Sequence, residues 1–141
     1  MWLAVNPWAV LLAASVAWLA GVGYYTLMAG PWVKALGSNL DNLQRELDAK
    51  AGTPAAWTPF LLAYVAELVM ASVLAAVLYR ADALDLAGGV VTGAALWLGL
   101  VATTLTVNNT LAGRKPMLSA VDGGHWLLVL LVMGAILGVL G

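Results

Sequence analysis

The sequence predicts an all-α membrane protein: a bundle of four transmembrane helices with a short amphipathic helix on one membrane surface. Of its 141 residues, 63% are hydrophobic and only 9% are charged, whereas a soluble domain carries about 25% charged residues. Four apolar segments approach the roughly 20 residues that a helix needs to cross the hydrocarbon of a bilayer. We expect a single membrane domain over residues 1–141, with spans at residues 7–28, 56–79, 86–112 and 124–140.

The first span has clear local signals at both ends. Asn6 is a favourable N-cap, and Pro7 suits the first helical turn. Gly30 and Pro31 are predicted to end the helix. No basic side chain precedes Lys34, so the charged start of a cleaved signal peptide is missing and we expect this span to be retained.

Residues 38–50, SNLDNLQRELDAK, form the only strongly polar stretch. A narrow apolar stripe of leucines runs through this region at helical spacing: Leu36, Leu40, Leu43 and Leu47. This pattern is typical of an amphipathic helix on a membrane surface. A solvated connector between the first two spans is the alternative.

The third span contains no charged residue, but it carries small and polar residues at helical spacing. The predicted stripe consists of Gly89, Gly93, Trp97, Thr104 and Asn108. Small and polar side chains in a transmembrane helix favour contact with protein rather than with lipid. Arg114, Lys115 and Pro116 are predicted to end this span, and a short loop containing Asp122 is predicted before the fourth.

The distribution of basic residues predicts the orientation. Five lie in the loops between spans 1 and 2 and between spans 3 and 4: Lys34, Arg45, Lys50, Arg114 and Lys115. Only Arg80 lies on the other side. Because cytoplasmic loops carry an excess of lysine and arginine, we expect both of these loops in the cytoplasm and both termini outside.

Glu67 is the most informative single residue, since it lies roughly 14 Å into the second span, near the midplane. We predict one polar layer of Glu67 with Trp97 and another at the cytoplasmic end. The candidate binding residues are Glu67, Trp97, Thr104, Asn108, Asn109, His125, Tyr24 and Tyr25. Glu67 either binds a proton, a cation or a polar ligand, or is a neutral acid bonded to Trp97 or Tyr64.

Several function classes are disfavoured by composition. The chain has no cysteine and one histidine, so thiolate chemistry is excluded and we expect no metal site. No nucleophile–base set or phosphate-binding loop is recognisable, so we expect neither an enzyme nor a bound cofactor. A net charge of −1 gives no electrostatic footprint for nucleic acid.

Two hypotheses about function follow. In the first, the protein is a homo-oligomer in the lipid bilayer that binds or transports a small ligand, ion or lipid through an intramembrane polar pocket. Oligomerisation is expected because four helices bury only a thin core. In the alternative, it is a structural or accessory subunit without a ligand, and residues 38–50 dock a partner or the membrane surface.

Three phrases also resemble a known family: LWLGLVATTLTVNNTLAGRKP at residues 96–116, GVGYYTLMAGPWVKALG at 21–37 and HWLLVLLVMGAILG at 125–138. They are similar to the bacterial integral membrane proteins catalogued as domain of unknown function (DUF) 1761, and the resemblance covers nearly the whole chain. It implies a small four-helix integral membrane protein, and we expect it in the bacterial inner membrane. It implies no reaction, because none is assigned to the family.

Overall fold

The computed structural model describes residues 5–141, which form helices and no strand. The elements are α1 (Pro7–Leu27), α2 (Ala29–Ala35), α3 (Leu40–Lys50), α4 (Pro54–Arg80), α5 (Leu86–Leu96), a π-helical turn (Trp97–Ala102), α6 (Thr103–Leu111) and α7 (Pro116–Leu140). The stretch Leu86–Leu111 is continuous and forms the third span. Together with α1, α4 and α7 it makes four helices long and apolar enough to cross a membrane. The predicted fold class of a multi-pass helical bundle is confirmed.

Capping chemistry sets where the spans begin. The Asn6 side chain accepts hydrogen bonds from the backbone N–H groups of Trp8 and Ala9, and the Asp85 side chain accepts one from Gly88. Pro54 and Pro116 occupy first-turn positions of their helices, where the missing proline N–H has no intrahelical partner to lose. A capping side chain or a first-turn proline therefore stands at the start of each of the four spans.

The fourth span begins earlier than predicted. We expected a loop through Asp122 and a helix from residue 124, but α7 begins at Pro116 and contains Asp122, Gly123 and Gly124. Within this longer helix Gly124 permits close packing, since a Cβ there would lie 2.6 Å from the Tyr24 hydroxyl oxygen.

The connection between α1 and α4 is more helical than expected. Gly30 and Pro31 do not end the first span, because α1 ends at Leu27 and Pro31 lies in the first turn of α2, where proline is tolerated. The predicted amphipathic segment forms α3. None of its residues is buried, and Leu40 and Leu47 remain 54% and 50% exposed.

Helix α7 lies at the centre of the bundle and packs against α1, α2, α4, α5 and α6. Its buried residues Val129, Met133 and Leu137 join one hydrophobic core with α1 and α4. The α1 side of that core consists mainly of small residues: Ala9, Ala13, Ala14 and Ala17. Small side chains on α1 let the three helices approach closely.

The closest helix contact joins α5 to α7 through glycines on both helices. A Cβ on Gly89 would overlap the carbonyl group of Gly134, and a Cβ on Gly138 would overlap that of Asp85. A Cβ on Gly93 would lie 2.5 Å from the Leu130 carbonyl oxygen. The two backbones are therefore in direct contact, as small residues permit in membrane proteins.

We predict that Gly89→Ala destabilises the protein by about 1–3 kcal/mol, because the added methyl group forces α5 away from α7. Gly99→Ala is the matched control in the same span, since nothing lies within 4 Å of its Cβ position. Thermal unfolding of both variants in one detergent measures the difference. Equal melting temperatures would contradict the proposed backbone contact.

Candidate intramembrane site

Glu67 is sealed inside the bundle. It is 1% exposed and shares the buried face of α4 with Ala71, Leu74 and Leu78. Within residues 5–141 its Oε2 atom has no hydrogen-bond partner. The two partners considered from sequence are engaged elsewhere: the Tyr64 hydroxyl lies 3.0 Å from Ser15 Oγ, and the Trp97 indole N–H donates to the Gly123 carbonyl.

His125 is also buried, at 7% exposed, and lies well inside α7 rather than at its start. Its ring centroid is 4.6 Å from that of Tyr25 and 5.8 Å from that of Tyr24. The ring fits against α1 because residue 21 is glycine, where a Cβ would lie 2.6 Å from His125 Nε2. Its Nδ1 atom has no hydrogen-bond partner in the described part of the chain.

Three consecutive residues of α7 accept hydrogen bonds from neighbouring spans. The Tyr24 hydroxyl donates to the Val121 carbonyl at 2.6 Å, and the Tyr25 hydroxyl donates to Asp122 Oδ1 at 2.6 Å. Trp97 Nε1 donates to the Gly123 carbonyl at 2.8 Å. These bonds fix α1 and the third span to the first half of α7, and they satisfy donors that would otherwise lack partners in hydrocarbon.

The π-helical turn changes which side chains of the third span face α7. We predicted that Thr104 and Asn108 would face inwards, but both are exposed. Asn109 faces inwards instead, and its Nδ2 donates to Ser119 Oγ at 3.1 Å. In a regular α-helix the residue eleven positions after Trp97, Asn108, returns to the same face. The wider π turn takes up one more residue, so that Asn109 takes this place.

The predicted layer of Glu67 with Trp97 is therefore not formed. Two contacts of α1 give the relative levels of the helices: Ser15 contacts Tyr64, and Gly21 contacts His125. The six positions from Ser15 to Gly21 put these two contacts roughly 9 Å apart along α1. Glu67 lies three residues beyond Tyr64, which puts it roughly 13 Å from the level of His125 along the bundle. The structure brings Tyr24, Tyr25, His125 and Trp97 together around α7 and leaves Glu67 apart.

Asp122 and Ser119 were not among the predicted site residues, although Asp122 accepts a hydrogen bond from Tyr25 and Ser119 accepts one from Asn109. The spacing of Asp122 and His125 is informative once the helix is known to begin at Pro116. Residues three apart lie on one helical face, and Asp122 precedes His125 by three. In the predicted loop over residues 117–123, Asp122 would not share a helical face with His125. The intact helix gives Tyr25 a carboxylate acceptor beside the His125 ring.

An open groove of about 540 Å³ lies between α1 and α4 and also escaped prediction. Its walls are mostly aromatic, and its polar groups are the paired hydroxyls of Ser15 and Tyr64. The Trp18 indole donates to the Phe60 carbonyl at 3.1 Å, which fixes one wall. The groove borders α4 one helical turn from Glu67.

Among residues 5–141, no group of three His, Cys, Asp or Glu side chains comes together that could hold a metal ion. Comparison with known proteins gives one family: the model described as "Protein of unknown function (DUF1761)" matches residues 8–138. No curated protein matches the chain, and no solved structure matches it. The resemblance inferred from sequence is confirmed.

We predict that deleting Leu100 from the π turn destabilises the protein less than deleting Val91 from α5. Removing Leu100 puts Asn109 eleven positions after Trp97 instead of twelve, so a regular α-helix keeps both side chains facing α7. Removing Val91 rotates Gly89 relative to Gly93 by about 100° and breaks the glycine contact. Both deleted side chains are exposed, so the difference in melting temperature reports the change of helical register rather than lost packing. A larger drop in melting temperature for the Leu100 deletion than for the Val91 deletion would contradict the proposed role of the π turn.

Proposed function

We propose that this chain, which belongs to the DUF1761 family of proteins of unknown function, binds and conducts protons through the interior between α1, α4 and α7. In this proposal it is a non-enzymatic protein of the bacterial inner membrane. Glu67 is the proton-binding group at mid-membrane. The cluster of Tyr25, Asp122 and His125 connects it to the end of the bundle where the longer loops lie.

One observation carries the proposal: Glu67 and His125 are both buried in apolar helices, and each has a polar atom without a partner in the described residues. Ionisable groups inside a membrane are costly and commonly belong to ion pathways or proton relays. A packing role would favour full hydrogen bonding, because unpaired buried polar atoms cost about 1–3 kcal/mol each. Two such groups, Glu67 on the buried face of α4 and His125 of α7 against α1, support a pathway along the bundle.

The chemistry favours a proton over a metal cation. A hard cation requires several oxygen ligands, whereas a proton requires a single lone pair. The interval between His125 and Glu67 is lined on α1 by alanines with no exposed surface, Ala13, Ala14 and Ala17. Since these side chains are small, a modest separation of α1 admits a file of water, and proton transfer across roughly 13 Å requires such water.

The orientation is part of the proposal. Five of the six basic residues lie at the end where α1 exits and α4 and α7 begin, which favours a cytoplasmic location for that end. Tyr25, Asp122 and His125 then form the cytoplasmic half of the pathway, and Glu67 lies deeper.

We predict that Glu67→Gln lowers proton flux roughly tenfold or more, because the amide keeps the shape of the side chain but cannot carry the proton. The measurement uses the full chain in liposomes containing a pH-sensitive dye, with an imposed potassium diffusion potential. Glu46→Gln is the matched control, since Glu46 is exposed on α3 and should leave the flux unchanged. Equal flux for both variants would remove Glu67 from the pathway.

Flux no greater than that of protein-free liposomes would contradict the proposal as a whole. The alternative of a structural or accessory subunit would then be favoured. Its distinguishing test is capture of partners by the full chain with α3 intact and with the α3 leucines replaced by serine.

We also propose that copies of the chain associate through the third span. Only 6% of its apolar window is buried, against 28–44% in the other spans. The π turn directs the polar side chains of Thr104 and Asn108 onto this uncovered face. Polar groups on a transmembrane helix associate with other helices by hydrogen bonding.

We predict that the double variant Thr104→Val and Asn108→Leu weakens self-association by roughly 1 kcal/mol for each hydrogen bond lost. Thr106→Val is the control, because that hydroxyl already bonds to the Ala102 carbonyl of its own helix. Single-molecule counting of labelled protein in bilayers at several protein-to-lipid ratios gives the association constant. A monomeric wild-type protein, or equal weakening by the control, would refute this interface.

A further inference from the structure

A cleft of about 890 Å³ lies at the loop end of the bundle, away from both Glu67 and His125. Helix α2, the first residues of α3 and the start of α7 form its walls. Its volume falls within the range of small-molecule sites, about 300–1,000 Å³. Unlike the groove between α1 and α4, this cleft carries charged side chains.

The charges of the cleft come from Lys34, Lys115 and Asp41. The Lys115 ammonium group donates to the Lys34 carbonyl at 3.3 Å, which holds it at the end of α2. In the described part of the chain neither lysine forms an ion pair, although Asp41 borders the same cleft. Two cations against one anion leave a net positive site that is complementary to a phosphate.

The apolar stripe of α3 continues directly from this cleft. Leu40 lines the cleft and is also the first residue of α3. Leu40 and Leu47 are half-exposed, and α3 buries none of its residues against the bundle. An amphipathic helix with an uncovered leucine face is stabilised by burying that face at a lipid surface.

We propose that this cleft binds the phosphate headgroup of an anionic phospholipid, with Lys34 and Lys115 as its cationic ligands and the α3 leucines against the adjoining acyl chains. Charge complementarity and the continuity of the cleft with the leucine face support this occupant. Basic side chains next to transmembrane helices attract anionic headgroups in this way. The inference is independent of proton conduction, because none of its residues belongs to the pathway.

The test uses the full chain in nanodiscs of equimolar phosphatidylglycerol and phosphatidylcholine. After transfer to mild detergent, native mass spectrometry gives the ratio of the two lipids that remain bound. Wild-type protein should retain phosphatidylglycerol in clear excess. Lys34→Gln combined with Lys115→Gln should lower this enrichment roughly tenfold or more, whereas Lys115→Arg, which keeps the cation, should preserve it.

The matched control is Arg45→Gln combined with Lys50→Gln, which removes two positive charges from α3 outside the cleft. This control should keep the enrichment, so an equal loss in both double variants would overturn the site and leave only a diffuse charge effect. No enrichment in the wild-type protein would overturn the proposal. Displacement of phosphatidylglycerol by glycerol 3-phosphate at low millimolar concentration would instead assign the cleft to a soluble phosphate and refute a lipid occupant.

Discussion

The direct backbone contact between α5 and α7 is the constraint on which the rest of the bundle depends. It requires glycine at positions 89, 134 and 138, because any side chain there would overlap the facing helix. With α7 held against the third span, its remaining surface faces α1 and α4. The positions of His125, Asp122 and the core residues Val129 and Met133 all follow from where that one contact puts α7.

The fold was predictable because the signals for membrane helices are local. A run of apolar side chains and a capping residue such as Asn6 or Asp85 determine a span without reference to any neighbour. Prediction was wrong where a residue type has two uses. Asp122 and Gly123 were predicted in a loop before the fourth span, but they lie within α7, where the neighbouring Gly124 gives room to the Tyr24 hydroxyl. The π turn had no recognisable signal in the local sequence, and its effect is seen only in the bonds that Trp97 and Asn109 make to α7.

The candidate site was only partly predictable for the same reason. The depth of Glu67 follows from counting residues along one helix, and small residues such as Ala71 share its buried face. Its surroundings depend on the relative axial positions of α1, α4 and α7, which a single sequence does not contain. Trp97 and Tyr64 were reasonable partners by depth. Each instead bonds to a group on an adjacent helix that periodicity alone does not reveal, Gly123 in one case and Ser15 in the other.

The central position of α7 also bears on biogenesis. Chains are synthesised and begin to fold from the N-terminal side, so α1, α4 and the third span enter the bilayer before their common partner exists. During this interval the glycine face of α5 has no helix to cover it, and Glu67 is covered from the α1 side alone. Closure of the interior is then a late, single event. An insertion factor or a neighbouring copy that shields these surfaces until α7 arrives would raise the yield of folded protein.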